Sequence, residues 1–117
     1  MKMKTSELQD ATLDWAVALA NGQEEFWTTD NYSTNWALGG PIIEDEGIDI
    51  HRVNSSMWSA RWWPDNSGMV KNPAQRFRHN IQMDGPTPLI AAMRCYVTSK
   101  LGDEIEVPNE LIELIGE

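Results

Sequence analysis

Cysteine and histidine are scarce in this sequence, and their scarcity excludes several kinds of active site. Cys95 is the single cysteine, which excludes an intramolecular disulfide and any site with several cysteine ligands, and suits a reducing compartment. His51 and His79 are the only histidines, and no serine lies in a nucleophile-elbow pattern, so a serine triad is not expected. No glycine-rich phosphate loop carries a lysine. The sequence therefore predicts no enzymatic activity, no catalytic residue, no metal site and no cofactor.

Long apolar runs are missing as well. The longest, Ala16–Ala20 and Leu89–Met93, are too short to cross a membrane. Lys2 and Lys4 are not followed by the apolar core of a signal peptide, so we expect a cytoplasmic protein. With 117 residues, of which 41% are hydrophobic and 23% are charged, the chain fits one compact domain over residues 1–117.

Basic residues are few and unevenly placed in a chain whose net charge is −9. Residues 5–50 contain ten acids and no lysine or arginine, and residues 101–117 contain six acids and no base. Residues 52–79, by contrast, contain five basic residues and one acid. Such a charge distribution repels most nucleic acids, but it can attract a small anion to the basic, aromatic middle of the chain.

The clearest helix signal lies between Asp84 and Gly102. Thr87 is a good N-cap, Pro88 suits the first helical position, and Gly102 can end the helix. Apolar residues recur between them at helical spacing, which predicts a helix over residues 87–101 with one buried face. That face consists of Ile90, Met93, Val97 and Leu101, with Leu89 and Tyr96 beside them.

Two charged residues of this helix, Arg94 and Lys100, lie off the apolar face, so we expect them to reach solvent or a partner. A second helix is predicted over residues 6–20. It opens with a capping box of Ser6 and Gln9, and its apolar residues again follow helical spacing.

Two short alternating segments, residues 47–53 and 57–63, predict a β-hairpin. A turn at residues 54–56 connects them, and residues 1–5 can form an edge strand. We therefore expect an α+β fold in which two main helices pack on a small antiparallel β-sheet. The side chains expected on one face of the hairpin are Ile48, Ile50, Trp58, Ala60 and Trp62.

The segment before this hairpin has no clear periodicity. Gly39, Gly40 and Pro41 predict a turn or a close backbone approach. Residues 44–47, Glu-Asp-Glu-Gly, predict a solvated acidic hairpin tip, because three consecutive carboxylates cannot all face one metal ion.

The chain resembles the phage NinX-like family of small accessory proteins. The resemblance rests on three stretches: MKMKTSELQDATLDWAVALANG at the start, STNWALGGPIIEDEGI over residues 33–48, and GPTPLIAAMRCYVTSKLGDEIEVP over residues 85–108. It implies a phage origin and a non-structural accessory role in the host cytoplasm. It supplies no activity, cofactor or catalytic residue.

One hypothesis is that the protein binds a small anionic ligand, most simply a nucleotide. Tryptophan rings stack on bases, arginines bind phosphate with paired donors, and backbone or hydroxyl groups can add contacts. In a phage accessory protein this implies counter-defence, by sequestering a nucleotide signal of host immunity. The alternative is that the tryptophans fill the core and the arginines only solubilise the chain. The candidate ligand-binding residues are Trp36, Gly39, Gly40, Arg52, Trp58, Arg61, Trp62, Arg76, Arg78, Thr87 and Arg94.

A second hypothesis is an acidic inhibitor or adaptor that binds a host protein, because an acidic surface steers toward basic, nucleic-acid-binding targets. A third is an accessory factor in phage DNA metabolism, although the negative net charge argues against direct binding of duplex DNA. Six tryptophans and an apolar C-terminal tail in so short a chain also predict a homo-oligomer, in the simplest case a dimer.

Overall fold

A computed structural model describes residues 2–22, 30–62, 81–109 and 111. Within them lie three α-helices and two antiparallel sheets, which confirms the α+β prediction. The larger sheet has the strand order β2-β3-β4, and the smaller one pairs β1 with β5. The elements in chain order are β1 (Lys2–Lys4), α1 (Asp10–Ala20), α2 (Trp36–Glu46), β2 (Asp49–Asn54), β3 (Met57–Trp62), β4 (Ile81–Gly85), α3 (Pro88–Leu101) and β5 (Glu104–Glu106).

Helix α3 is the central element, and its N-terminus follows the predicted signals. The Thr87 hydroxyl accepts a hydrogen bond from the Ile90 backbone N–H at 3.1 Å, and Pro88 is the first helical residue. The burial is wider than the single predicted face, because Ala91, Ala92, Cys95, Thr98 and Ser99 are buried as well. This burial follows from the contacts that α3 makes with four elements, namely β3, β4, α1 and α2.

Helix α1 begins four residues later than predicted. Thr5–Glu7 form a single 3-10 turn, and the helix starts at Asp10 with Gln9 as its N-cap. A capping box is present, but it joins Gln9 to Thr12 instead of Ser6 to Gln9. The predicted pairing fails because the residues from Thr5 to Glu7 already form their own turn, closed by the Leu8 N–H and the Thr5 carbonyl.

Helix α2 was not predicted, and it replaces both the turn at Gly39–Pro41 and the acidic hairpin tip. Asn35 caps its N-terminus by accepting a hydrogen bond from the Ala37 N–H at 2.9 Å. Gly47 ends it in the left-handed conformation, with φ of 67°. An internal proline and two glycines cost about 5 kcal/mol of helix propensity relative to alanine, so packing on the neighbouring elements must hold this helix.

The three-stranded sheet confirms the predicted hairpin and its alternation of faces. In the register, Ala60 of β3 lies between Ile50 of β2 and Met83 of β4. Ala60 and Trp62 are buried in the core, Trp58 is half-buried against it, and Arg61 is exposed.

The N-terminal segment is tied to the far end of α3. The predicted edge strand is present as β1, which pairs with β5 through Met3 and Ile105. Behind it, the buried Thr5 hydroxyl lies 2.8 Å from the Thr98 hydroxyl and 3.1 Å from the Gly102 carbonyl oxygen. These contacts join the two ends of the described chain.

Candidate functional site

Two of the predicted ligand-binding residues belong to the protein interior. Trp62 is 3% exposed in the core, which leaves no ring face for a ligand. Gly39 is buried where α2 meets α3: a Cβ there would lie 2.5 Å from a methyl carbon of Leu89 and 2.9 Å from the Tyr32 carbonyl oxygen. Its backbone N–H donates to the Asn35 carbonyl. Trp62 and Gly39 therefore contribute to packing. Two further candidates, Arg76 and Arg78, lie outside the described residues.

The remaining residues of the predicted site are divided between different surfaces. Arg61 lies on the sheet face opposite to Trp58, in register with Asp49 on one side and Gln82 on the other. Trp36 and Gly40 lie on α2, where Trp36 is 53% exposed and Gly40 is half-buried. Among the described residues, the arginines and tryptophans therefore do not form a single site.

One end of the sheet does bring some of them near one another. Arg52 is opposite Trp58 in the register, and Trp58 is opposite Gly85, which precedes the start of α3. The Arg52 Nε group donates to the Asn54 carbonyl at 3.1 Å, so the guanidinium is held against the hairpin turn.

A recess of about 490 Å³, the Arg94 recess, opens beside this end of the sheet and is lined by Ser6, Ser56, Met57, Asp84, Arg94 and their neighbours. Arg94, which was expected to reach solvent or a partner, is half-buried and bonded within the chain. Its Nε donates to the Leu8 carbonyl at 2.7 Å, and its Nη1 donates to the Asp84 carbonyl at 2.8 Å. Burial lowers the pKa of the guanidinium, and the Asp84 carboxylate opposes that shift. Arg94 therefore joins the segment before α1 to the strand before α3.

A second hollow of about 580 Å³ lies between α2 and α3, and we call it the α2–α3 groove. Its buried lining includes Tyr32, Ile42 and Tyr96. The Tyr96 hydroxyl is 3.4 Å from the Asn21 side-chain oxygen. Lys100 reaches over the same ring, with its Nζ 5.2 Å from the centroid. The Tyr96 ring is therefore buried beneath the groove, and Lys100 lies over it.

Carboxylates border this groove at the C-terminal end of α2. Asp45 and Glu46 line it, Glu44 precedes them, and the last turn of the helix has no basic residue. A helix C-terminus carries partial negative charge, so the interaction of each carboxylate there with the helix dipole is unfavourable by on the order of 0.5 kcal/mol. Burial raises the pKa of Tyr96, and the charge of Glu46 adds to that rise.

Sequence reasoning missed the α2–α3 groove because it did not recognise α2. The signals were present: Asn35 is a favoured N-cap, and Gly47 twelve residues later is a favoured helix end. With those two boundaries, Gly39, Ile42 and Glu46 fall on one side of a helix. The acids then become the last turn of that helix instead of a hairpin tip.

The described residues contain no group of three histidine, cysteine, aspartate or glutamate side chains placed to hold a metal ion. Burial raises the pKa of the Cys95 thiol to about 12, which keeps it protonated at neutral pH. His51, Ser59 and Asp84 lie in one row across the sheet, but Ser59 is fully buried and its hydroxyl accepts a hydrogen bond from Gln82. That serine is closed to a substrate.

Across the residues that the structure describes, every helix is too short or too polar to span a bilayer.

Comparison with known proteins identifies the family. No curated protein matches the chain. The family model described as "Bacteriophage P22, NinX" matches residues 21–100, which include α2, the sheet and nearly all of α3. The match therefore contains both hollows almost entirely, together with the second of the three stretches on which the resemblance was based. The chain belongs to the phage NinX family.

Proposed function

We propose that this phage protein is a non-enzymatic accessory protein that acts by binding a basic protein of the host as an inhibitor or adaptor. The observation that carries the proposal is the run of three acids in the last turn of α2. These acids lie at the negative end of the helix dipole, and the turn itself contains no basic residue. Such a concentration of negative charge at one end of a helix attracts a cationic surface.

The net charge supports the same function. At −9 the chain attracts positively charged surfaces over distances of about 10 Å at moderate salt, and it repels nucleic acid. Proteins that bind nucleic acid carry the complementary surface, so they are the simplest class of target. Binding to such a protein interferes with its access to DNA or RNA.

The test is capture of the tagged protein from phage-infected cells at low and high salt, with the bound proteins identified by mass spectrometry. We expect a basic partner that is retained at low salt and lost at high salt. The variant Asp45→Asn/Glu46→Gln should lose most of that partner.

The matched control is Glu7→Gln/Asp10→Asn, which removes the same number of charges. These two residues lie just before and at the N-terminus of α1, whereas the groove lies at its C-terminus. Asn21 at the C-terminus of α1 lines the groove, and the eleven residues of the helix separate it from Asp10 by about 16 Å. The control should retain the partner. Equal losses in both variants, or a partner that high salt does not release, would refute binding at the end of α2.

A second candidate function, binding of a small anion such as a nucleotide signal in counter-defence, is favoured by the Arg94 recess. Its guanidinium is oriented by two backbone carbonyls, and the Ser6 and Ser56 residues of its wall carry hydroxyls. The Asp84 carboxylate in the wall of the recess would repel an anion. Saturation of the protein with a panel of mono-, di- and cyclic nucleotides, followed by calorimetry, tests this function. Binding that Arg94→Lys weakens would support it.

A further inference from the structure

We propose that two copies of the chain pair through the outer edge of β2, so that their three-stranded sheets join into one sheet of six strands. This proposal goes beyond the proposed function, because it concerns a different surface and a different partner, namely a second copy of this protein. Three features carry it: the backbone along this edge, the order of the β2 side chains, and the local charge.

The backbone of β2 is paired on one side. β2 lies at an edge of its sheet, where residues 49–52 pair with β3. In the part of the chain that the structure describes, no strand lies along the other side, and these residues make no backbone hydrogen bond except with β3. Every second residue of an edge strand directs its N–H and C=O groups outward, so this edge is a template for a further strand.

β2 lacks two of the features that keep a sheet edge from pairing. Its sequence, Asp-Ile-His-Arg-Val-Asn, contains neither lysine nor proline. The register with β3 shifts between Arg52 and Asn54, so regular pairing with a second copy reaches to Arg52 and ends there. A contact of so few residues is small, and we therefore expect a weak dimer whose population rises with protein concentration.

The order of the side chains favours antiparallel pairing of the two copies about Ile50. A twofold axis perpendicular to the sheet keeps each side chain on its own face, so the axis passes through a residue and not between two. With the axis at Ile50, Asp49 of each copy lies opposite His51 of the other, and the two Ile50 side chains meet. With the axis at His51, the two imidazoles would face each other and Ile50 would lie opposite Arg52.

The pairing of Asp49 with His51 gives the contact its specificity. Both side chains are exposed, and among the described residues neither makes a hydrogen bond or an ion pair. An imidazole has an N–H group that a carboxylate can accept in either protonation state of histidine. Directly opposite side chains have their Cβ atoms about 5 Å apart, which brings these groups within reach. The symmetric contact contains the pair twice.

The local charge allows two acidic chains to approach along this edge. Residues 49–62, which form β2, the turn and β3, contain two arginines and one aspartate, a net charge of +1 with histidine neutral. The whole chain has a net charge of −9, so two copies repel each other over most of their surface. That repulsion is weak where the two β2 strands meet.

The first experiment is sedimentation equilibrium of the purified full chain over a roughly hundredfold range of concentration. We expect a monomer–dimer equilibrium. Asp49→Lys and His51→Asp each replace both symmetric pairs, and each should weaken the dimer by roughly tenfold. The matched control, Asp103→Lys, makes the same charge change at an exposed position between α3 and β5, and it should dimerise as the parent chain does.

A mixture of the two variants tests the register itself. In the mixed dimer the introduced lysine lies opposite the introduced aspartate, and the native Asp49 of one chain lies opposite the native His51 of the other. The mixture should therefore form a dimer about as tightly as the parent chain, although each variant alone does not. Native mass spectrometry separates the mixed dimer from the two homodimers by mass.

Amide hydrogen exchange of the parent chain locates the contact without any substitution. Amides within residues 49–52 should become more protected as the concentration rises. Thermal unfolding checks that the variants are folded, and the exchange measurement decides the question if one of them is not. A chain that stays monomeric, a dimer that protects other residues, equal dimerisation of the parent and both folded variants, or a mixture without rescue would overturn the proposal.

Discussion

Two adjacent glycines of α2 provide a matched test of how this helix is held. Gly39 faces α3, where a Cβ would lie 2.5 Å from a Leu89 methyl carbon and 2.9 Å from the Tyr32 carbonyl oxygen. At Gly40, apart from the chain neighbours and the helix backbone, the atom nearest to the added Cβ is a ring carbon of Trp36 at 4.0 Å, an ordinary van der Waals contact. The same substitution, glycine to alanine, therefore meets opposite surroundings at neighbouring positions.

The expected changes in unfolding free energy follow from helix propensity and from crowding around the added Cβ. Alanine gains about 1 kcal/mol over glycine inside a helix at either position. At Gly40 no distant atom crowds the added Cβ, but Pro41 disfavours the helical conformation of a preceding residue that has a Cβ, so Gly40→Ala should change the stability by less than about 1 kcal/mol. At Gly39 the Leu89 side chain can move, but the Tyr32 carbonyl belongs to the backbone, so overpacking costs about 1–3 kcal/mol. We expect Gly39→Ala to destabilise the protein by up to about 2 kcal/mol.

Equilibrium unfolding in urea, followed by circular dichroism, measures both changes. The propensity gain is common to the two variants, and the crowding at Gly39 exceeds the restriction that Pro41 places on Gly40, so we expect Gly39→Ala to be less stable than Gly40→Ala by up to about 2 kcal/mol. Heating should show the same order, with a separation of about 4 °C for each kcal/mol. Equal stabilisation by both substitutions would refute the close packing of α2 on α3 and with it the shape of the α2–α3 groove.

Other predictions concern α3 and the segment before α2. Thr87→Ala should cost about 1 kcal/mol of unfolding free energy because the Ile90 N–H loses its cap, whereas Thr87→Ser should cost little; urea unfolding measures both. Cys95 should resist a thiol reagent in the folded protein and react in guanidinium, because burial raises its thiol pKa to about 12. Asp14→Ala should lower the free energy of unfolding by about 1–3 kcal/mol, because the Ser33 N–H loses its acceptor at 2.8 Å. Asp14→Asn keeps an oxygen at that position and should cost less. Equal thermal unfolding temperatures for the two variants would contradict this.

Local sequence signals predicted the elements whose apolar pattern matches the side that packs on the core, namely α3 and β3. Thr87 and Pro88 mark the start of α3, and alternation in residues 57–62 marks β3 with its buried face. In both cases the periodicity of apolar residues reports the side that packs. The extent of burial around α3 was not predictable, because alanine, threonine and serine carry no strong hydrophobic signal.

Local signals failed where tertiary contacts override propensity. Gly39, Gly40 and Pro41 are typical of a turn, yet Gly39 is needed because only a residue without a side chain lets α2 approach Leu89. Arg94 lies off the apolar stripe, but the carbonyls of Leu8 and Asp84 give it partners that no spacing rule indicates.

The candidate site also depends on tertiary contacts that local sequence signals did not predict. Clustering of arginine and tryptophan in the sequence favoured an anion site, but alternation along β3 sends Arg61 and Trp62 to opposite faces. The groove is built from side chains far apart in the sequence, such as Tyr32 and Tyr96, which only the packed helices bring together. Its charge was visible from the start as an acidic run whose helical position was not recognised.

Native mass spectrometry of the protein purified from phage-infected cells tests the central claim most directly. Binding of a basic host protein predicts a complex whose added mass is that of a protein, which high salt releases and which the Asp45→Asn/Glu46→Gln variant fails to form. An added mass of a few hundred daltons that leaves on denaturation would contradict this claim and favour the Arg94 recess. The chain alone, as a monomer or as the predicted dimer, would contradict stable binding of either kind.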